Sequence, residues 1–301
     1  MRIAVAASPE VAIPSLQALV DGKESLVRIF SQPDRPSGRG RLLTPTPVSL
    51  WAMENHIELI RPESSDELAK HLSDIDIVIT IGYGVLLPER ILSMTRYGFI
   101  NLHFSLLPRW RGAAPVQRAI EAQDAFTGVT VFQLDAGMDT GPIYTTHRFA
   151  LDADITSDEL FVELGELGVV ALTDALALIE SGKRPVPQSN EGATRAFKLS
   201  REDGRIDWSQ DASAISAKIR AYTSNPGAWT TFRDKVIKLT TPVISSEDLE
   251  PGIITVIDKR VHIGTGSTAL AIGEITAEGK SSIEAIAWAN GARLLEGERC
   301  E

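Results

Sequence analysis

Asn101-Leu102-His103-Phe104-Ser105-Leu106-Leu107-Pro108-Arg109-Trp110-Arg111-Gly112-Ala113-Ala114-Pro115 begins at the carboxyl end of an apolar run, Phe99–Leu102. The run reads as a buried strand, and ligands of open α/β sheets bind beyond such strand ends. Period two puts Asn101 and His103 on one face and Leu102 on the other. Outward from this stretch, β-rich runs alternate with helical ones. Arg2–Ala7, Leu26–Ser31, Ile57–Ile60 and Ile75–Ile81 read as strands; Ile13–Val20, Val48–Asn55 and Asp66–Leu72 read as helices. This alternation predicts a Rossmann-like α/β domain, a parallel sheet with helices on both faces. Phe126–Leu134 and Ile143–Leu151 follow as strands, and Ser157–Ser181 as a long amphipathic helix.

The texture changes at Gly182-Lys183-Arg184-Pro185-Val186-Pro187, a linker signal. Beyond it, Ile206–Tyr222 contains a helix. Short β-prone runs then follow at 229–232, 236–239, 252–257, 260–264 and 269–276. Strands at that spacing predict a small β-barrel. The expected organisation is residues 1–184 as a first domain, 185–205 as a linker and 206–301 as a barrel domain.

Composition narrows the function. The chain has 301 residues, 43% hydrophobic and 23% charged, with no apolar run long enough to span a bilayer. No secretory leader is read at Met1-Arg2-Ile3-Ala4-Val5, so the expected compartment is the cytoplasm. The one cysteine, Cys300, is expected in a frayed tail, which leaves no disulfide framework and no cysteine-based zinc site. A net charge of −10 argues against a protein coated in nucleic acid. Residues 195–244, however, hold nine Lys/Arg against five acids, a net +4. That strip suits either a solvated surface or a locally docked polyanion. Ala6-Ala7-Ser8-Pro9-Glu10 after the first strand lacks the G-x-G-x-x-G dinucleotide fingerprint, and Walker, H-E-x-x-H and G-x-S-x-G motifs are absent as well.

His103 is of the residue type best suited to proton transfer near neutral pH, and an amide beside it can donate to a developing oxyanion. A lone strand-end histidine is more often a structural group. Asp135-Ala136-Gly137-Met138-Asp139-Thr140-Gly141-Pro142 is a Gly-rich loop between two strands. Asp139 there is either a turn residue or a carboxylate that orients His103.

Asn101-x-His103, Ser105-Leu106-Leu107-Pro108, Arg111-Gly112 and Asp139, thirty-six residues after His103, together resemble the folate-dependent formyltransferases. The resemblance implies that Asn101, His103 and Asp139 are catalytic. Asn101 and His103 would stabilise the tetrahedral oxyanion, and Asp139 would orient His103 and help move a proton. It implies that Ser105, Leu106, Leu107 and Pro108 lie against the folate, that 10-formyltetrahydrofolate donates the formyl group, and that no metal is used.

Members of the family act on a purine precursor, on amino sugars or on methionyl-tRNA. Gln32-Pro33-Asp34-Arg35-Pro36-Ser37-Gly38-Arg39-Gly40-Arg41 carries three arginines against one aspartate. Such a loop suits phosphate contacts, or is a plain surface loop. It resembles the insertion with which methionyl-tRNA formyltransferases enter the acceptor stem. The resemblance assigns Arg35, Gly38, Arg39, Gly40 and Arg41 to tRNA, with Arg39 foremost. Ala196–Ser200, Ile206-Asp207-Trp208, Ile219–Tyr222, Pro226–Trp229, Glu278-Gly279-Lys280 and Trp288-x-x-Gly291 resemble that branch's C-terminal domain, an OB-like barrel. The implied acceptor is the methionine amine on initiator methionyl-tRNA, and the family expectation is a monomer. Ala6-Ala7-Ser8-Pro9 replaces the family's common glycine-threonine-proline turn, and 280–283 is poorer in lysine than the usual tail. A nucleotide-sugar formyltransferase and an RNA-binding protein with a vestigial pocket are the competing readings. The basic loop argues against the first, and the intact Asn101, His103 and Asp139 against the second.

Overall fold

A computed structural model describes residues 1–37 and 42–301. The elements in order are β1 (Arg2–Ala7), α1 (Ile13–Asp21), β2 (Ser25–Phe30), β3 (Arg35–Ser37), β4 (Leu42–Thr44), α2 (Pro47–Glu54), β5 (Glu58–Ile60), α3 (Ser65–Ala69), β6 (Ile77–Ile81), α4 (Glu89–Leu92), β7 (Phe99–His103), β8 (Arg111–Gly112), α5 (Pro115–Glu121), β9 (Phe126–Gln133), β10 (Ile143–Ala150), α6 (Ser157–Glu180) and β11 (Arg195–Ala196). They continue with α7 (Ala212–Ala221), β12 (Trp229–Phe232), β13 (Lys235–Ile244), β14 (Ile254–Ile257), β15 (Arg260–Ile263), β16 (Leu270–Ala277), β17 (Ile283–Glu284) and α8 (Ala285–Ala292). Two compact units result. The first comprises 1–115, 126–150 and 161–197; the second comprises 116–125, 151–160 and 198–301.

The first unit is built on a seven-stranded sheet in the order β10-β9-β7-β6-β1-β2-β5. From β7 to β5 every pairing is parallel. Ile3 to Ala7 of β1 and Ile77, Val78, Ile79 and Ile81 of β6 are completely buried, as strands covered on both faces must be. The sheet is mixed, however: β9 runs antiparallel to β7, and β10 antiparallel to β9. An antiparallel neighbour needs only a short connection, and the loop 134–142 between β9 and β10 is the one that carries Asp139. Helix starts follow local chemistry. The Thr46 hydroxyl accepts from the Ser49 amide at 3.0 Å at the head of α2. Thr156 and Glu159 exchange hydrogen bonds as a capping box for α6.

The second unit holds a six-stranded antiparallel sheet, β12-β13-β16-β15-β14 with β17 on β16. Its core gathers Trp208, Ile219, Leu239, Ile263 and Ile275, with α7 packed on β13. The tail expected to fray is ordered instead. Phe232 bridges Cys300 on one side and Ile253 bridges Arg299 on the other. Glu301 and Thr231 exchange backbone hydrogen bonds of 2.9 Å, and the Cys300 amide donates to Gly252 at 2.8 Å. Residues 298–301 thus connect the β12 and β14 edges into a barrel. Cys300 lies inside at 4% exposure, and burial pushes its thiol pKa up to about 12. A single apolar-sized side chain near a terminus carries no local sign of this long-range pairing.

Candidate active site

β7 sets the site. Asn101 and His103 share one face, while Leu102 on the other packs against Gly168 of α6. In register, Thr80 of β6 neighbours Asn101, and Thr130 of β9 neighbours His103. The Thr80 hydroxyl donates to Asn101 Oδ1 at 2.7 Å. The amide oxygen is therefore held, and the amide nitrogen is left to donate elsewhere.

His103 is 5% exposed, with Phe132 edge-on to its ring. Its Nε2 lies 3.0 Å from the Trp110 carbonyl. A carbonyl only accepts, so Nε2 carries the proton and Nδ1 is the nitrogen that can take up another. Nδ1 faces Asp139 Oδ2 at 3.8 Å. That is beyond a hydrogen bond in this state, yet near enough to pair with the ring once it gains a charge. Asp139 Oδ2 in turn accepts from the Gly112 amide at 2.7 Å. The carboxylate is thus anchored on one side and open to the histidine on the other. Asp139 is a left-handed turn residue with φ 54°, and its carboxylate lies beside His103.

Asn101, His103 and Asp139 stand at a cavity of about 420 Å³, a size suited to a small-molecule ligand. Tyr83, Val85, Leu86 and Leu87 supply apolar wall, and Asp135 and Met138 come from the Asp139 loop. Burial pushes the Tyr83 phenol up to about 12, so it stays protonated and neutral. The Gln32 amide donates to the Tyr83 carbonyl at 2.5 Å and fixes this wall. Sequence reading passed over Gly82-Tyr83-Gly84, although a buried strand running into two glycines is a signal for a ligand loop in such sheets; both glycines take positive φ.

Ser105, Leu106, Leu107 and Pro108 are not among the residues lining this cavity. They form a turn tied to β9: Thr130 Oγ1 donates to the Ser105 carbonyl at 2.7 Å and accepts from the Leu107 amide at 3.2 Å, while the Ser105 hydroxyl donates to the Arg109 carbonyl at 2.7 Å. The Arg109 guanidinium stacks 4.3 Å over the Trp110 ring. Arg35 lies exposed on β3, paired through its backbone with Thr44 of β4. Gly38, Arg39, Gly40 and Arg41 fall outside the described residues.

The chain matches two family models, formyl transferase over residues 1–176 and the formyl transferase C-terminal domain over residues 198–293. Methionyl-tRNA formyltransferase of Salinispora arenicola (strain CNS-205) is 42% identical over 305 residues, covering 99% of each chain. That of Streptomyces coelicolor (strain ATCC BAA-471 / A3(2) / M145) is 40% identical over 307 residues, again covering 99% of each chain. Among solved structures, HypX from Aquifex aeolicus in complex with tetrahydrofolic acid superposes with a TM-score of 0.67 at 19% identity, covering 96% of this chain and 47% of that one. WlaRD, a sugar 3N-formyl transferase solved with dTDP and 5-N-formyl-THF, gives a TM-score of 0.69 at 17% identity, covering 93% and 99%. At those identities the two structures speak to the fold alone. Sequence identity along the whole length and the matches to both domain models agree: the chain belongs to the formyltransferase family, in its methionyl-tRNA formyltransferase branch.

Proposed function

We propose that the protein transfers the formyl group of 10-formyltetrahydrofolate to the methionine amine of initiator methionyl-tRNA, with Asn101, His103 and Asp139 as catalytic residues. The observation that carries the reading is the meeting of these three polar groups at one apolar-walled cavity, in a chain whose full-length relatives are methionyl-tRNA formyltransferases. The cavity suits a folate headgroup: it combines apolar walls with hydrogen-bonding groups gathered among them. 10-Formyltetrahydrofolate brings the activated one-carbon unit, and the protein positions it.

With its amide oxygen held by Thr80, Asn101 turns its amide nitrogen to the formyl oxygen and donates to it as negative charge grows there. His103 accepts the proton of the attacking amine at Nδ1 while Nε2 holds the Trp110 carbonyl. The resulting imidazolium is stabilised by the Asp139 carboxylate, and the same proton leaves His103 for the departing nitrogen. One carbon–nitrogen bond forms as another breaks, with no net change in protonation of the protein. Ser105, Leu106, Leu107 and Pro108 stand behind the chemistry as folate-side supports. Residues 1–184 carry the reaction and 206–301 hold tRNA, with 185–205 running between them. Arg35, Gly38, Arg39, Gly40 and Arg41 meet the acceptor end, where arginine forks match phosphate oxygens. The protein works as a monomer in the cytoplasm.

The test is formylation of methionyl initiator tRNA by the purified protein with 10-formyltetrahydrofolate, against methionyl elongator tRNA. Rapid formylation of the initiator alone is expected. His103→Ala abolishes turnover and keeps tRNA binding, whereas Arg39→Ala chiefly raises KM for tRNA. Folate binding without formylation of either tRNA refutes the acceptor and points to an amino sugar.

A further inference from the structure

We infer that Gln188, held by Arg111, is a positioning residue for Asp139, so that the segment 186–196 belongs to the catalytic apparatus of the first unit. The inference rests on the proposed role of Asp139 in formyl transfer. Asp139 has a positive φ of 54°, a conformation that an L-residue keeps only when neighbours hold it there. Gln188 Nε2 does so from the backbone side. It donates to the Asp139 carbonyl at 3.0 Å and to the Gly141 carbonyl at 2.7 Å, spanning the turn about Thr140. Both of its protons are used.

The other end of the same amide is fixed as well. Gln188 Oε1 accepts from Arg111 Nη2 at 2.8 Å and from Arg111 Nε at 3.2 Å. Arg111 also donates to Asn190 Oδ1 at 3.2 Å. With its oxygen on a guanidinium, the Gln188 amide presents its nitrogen to the loop and cannot flip without facing donor to donor. Asp139 is thus gripped twice: by Gly112 at its carboxylate and by Gln188 at its backbone. Both grips lead to the Arg111-Gly112 strand, which pairs in parallel with Arg195-Ala196.

The same segment reaches His103. The Thr194 hydroxyl accepts from the Trp110 amide at 2.9 Å, and the Trp110 carbonyl is the group that sets the His103 tautomer. Val186 bridges Ile143, at the start of the strand after the Asp139 loop. A stretch that its Pro and polar content marks as a linker therefore buttresses both proton-handling residues from behind.

Gln188→Leu and Gln188→Glu test this, each made in the wild-type and Asp139→Asn backgrounds. Leucine removes both ends of the bridge; glutamate keeps the Arg111 pair but has no N–H for the two carbonyls. Either change is expected to lower kcat about 10-fold with KM for methionyl-tRNA unchanged, yet less than about 2-fold when Asp139 is already asparagine. Protein labelled with 15N-glycine reports on the site without turnover: hydrogen exchange at the Gly112 amide accelerates about 10-fold as its carboxylate acceptor loosens. An equal kcat loss in both backgrounds, or unchanged Gly112 exchange in both variants, overturns the inference. Gln188→Glu carries the test should Gln188→Leu not fold. If the wild-type protein forms no formyl-methionyl-tRNA while Gly112 exchange still accelerates, the functional reading fails and the positioning by Gln188 stands.

Discussion

Replacing Gly112 by alanine strikes the backbone on which Asp139 rests. Gly112 sits at φ 126°, and a Cβ there would lie 2.4 Å from the Ala196 carbonyl oxygen and 3.1 Å from its carbon. The obstacle is backbone in a paired strand, not the free end of a side chain, so relief requires β8 and β11 to part. The backbone conformation alone costs about 1–3 kcal/mol for a residue with a side chain. The overlap adds about 1–3 kcal/mol, as overpacking does. A total near 4 kcal/mol corresponds to a fall of roughly 8–16 °C in Tm for a unit of this size. Displacing the strand also moves the amide that holds Asp139 Oδ2 at 2.7 Å. A shift of about 1 Å there is expected to lower kcat on the order of 100-fold. Gly182→Ala is the control: its φ is 76°, but nothing lies within 4 Å of the added carbon. It should cost only about 1–2 kcal/mol and leave kcat intact. Thermal denaturation and formylation kinetics of the two variants decide. If Gly112→Ala loses no more stability than Gly182→Ala and turns over at the wild-type rate, the account of β8 as the anchor of Asp139 is refuted.

Thr80→Val keeps shape and removes the donor to Asn101; kcat should fall about 10-fold with little change in KM, and Thr80→Ser should restore it, which steady-state kinetics will show. Cys300 should resist thiol reagents in the folded protein and react on denaturation. Because burial raises its pKa from 9.0 to about 12, the folded state retains a proton that the unfolded state releases, so stability declines by about 1.4 kcal/mol per pH unit from pH 9 toward 12. Cys300→Ser, followed by denaturant unfolding against pH, should remove that slope. At the acid end, Ser200 and Arg118 hold the Asp203 carboxyl below the ordinary range. The unfolded chain takes up this proton first, so the stability Asp203 contributes is present above about pH 4 and is lost as pH falls. Asp203→Asn should cost about 1–3 kcal/mol at pH 7 and flatten unfolding curves at acid pH.

Local pattern determined the elements of this protein. Runs such as Ile77–Ile81, apolar but for Thr80, read as strands covered on both faces, and the alternation in Phe99–His103 puts Asn101 and His103 on one face without any tertiary contact. The Ser-Leu-Leu-Pro and Asp139 motifs carried the family. Short helices escaped: α5 and α8, of seven and eight residues, are stabilised by packing more than by propensity. What tertiary structure alone decided are pairings between residues far apart along the chain. Thr80 meets Asn101 because β6 and β7 share a register. Gln188 meets Asp139 because β11 lies on β8. The last residues bridge β12 and the start of β14 because those two strands leave unpaired edges. Each contact satisfies a polar group that its own neighbourhood cannot, and no stretch of sequence announces a partner that folding brings from elsewhere.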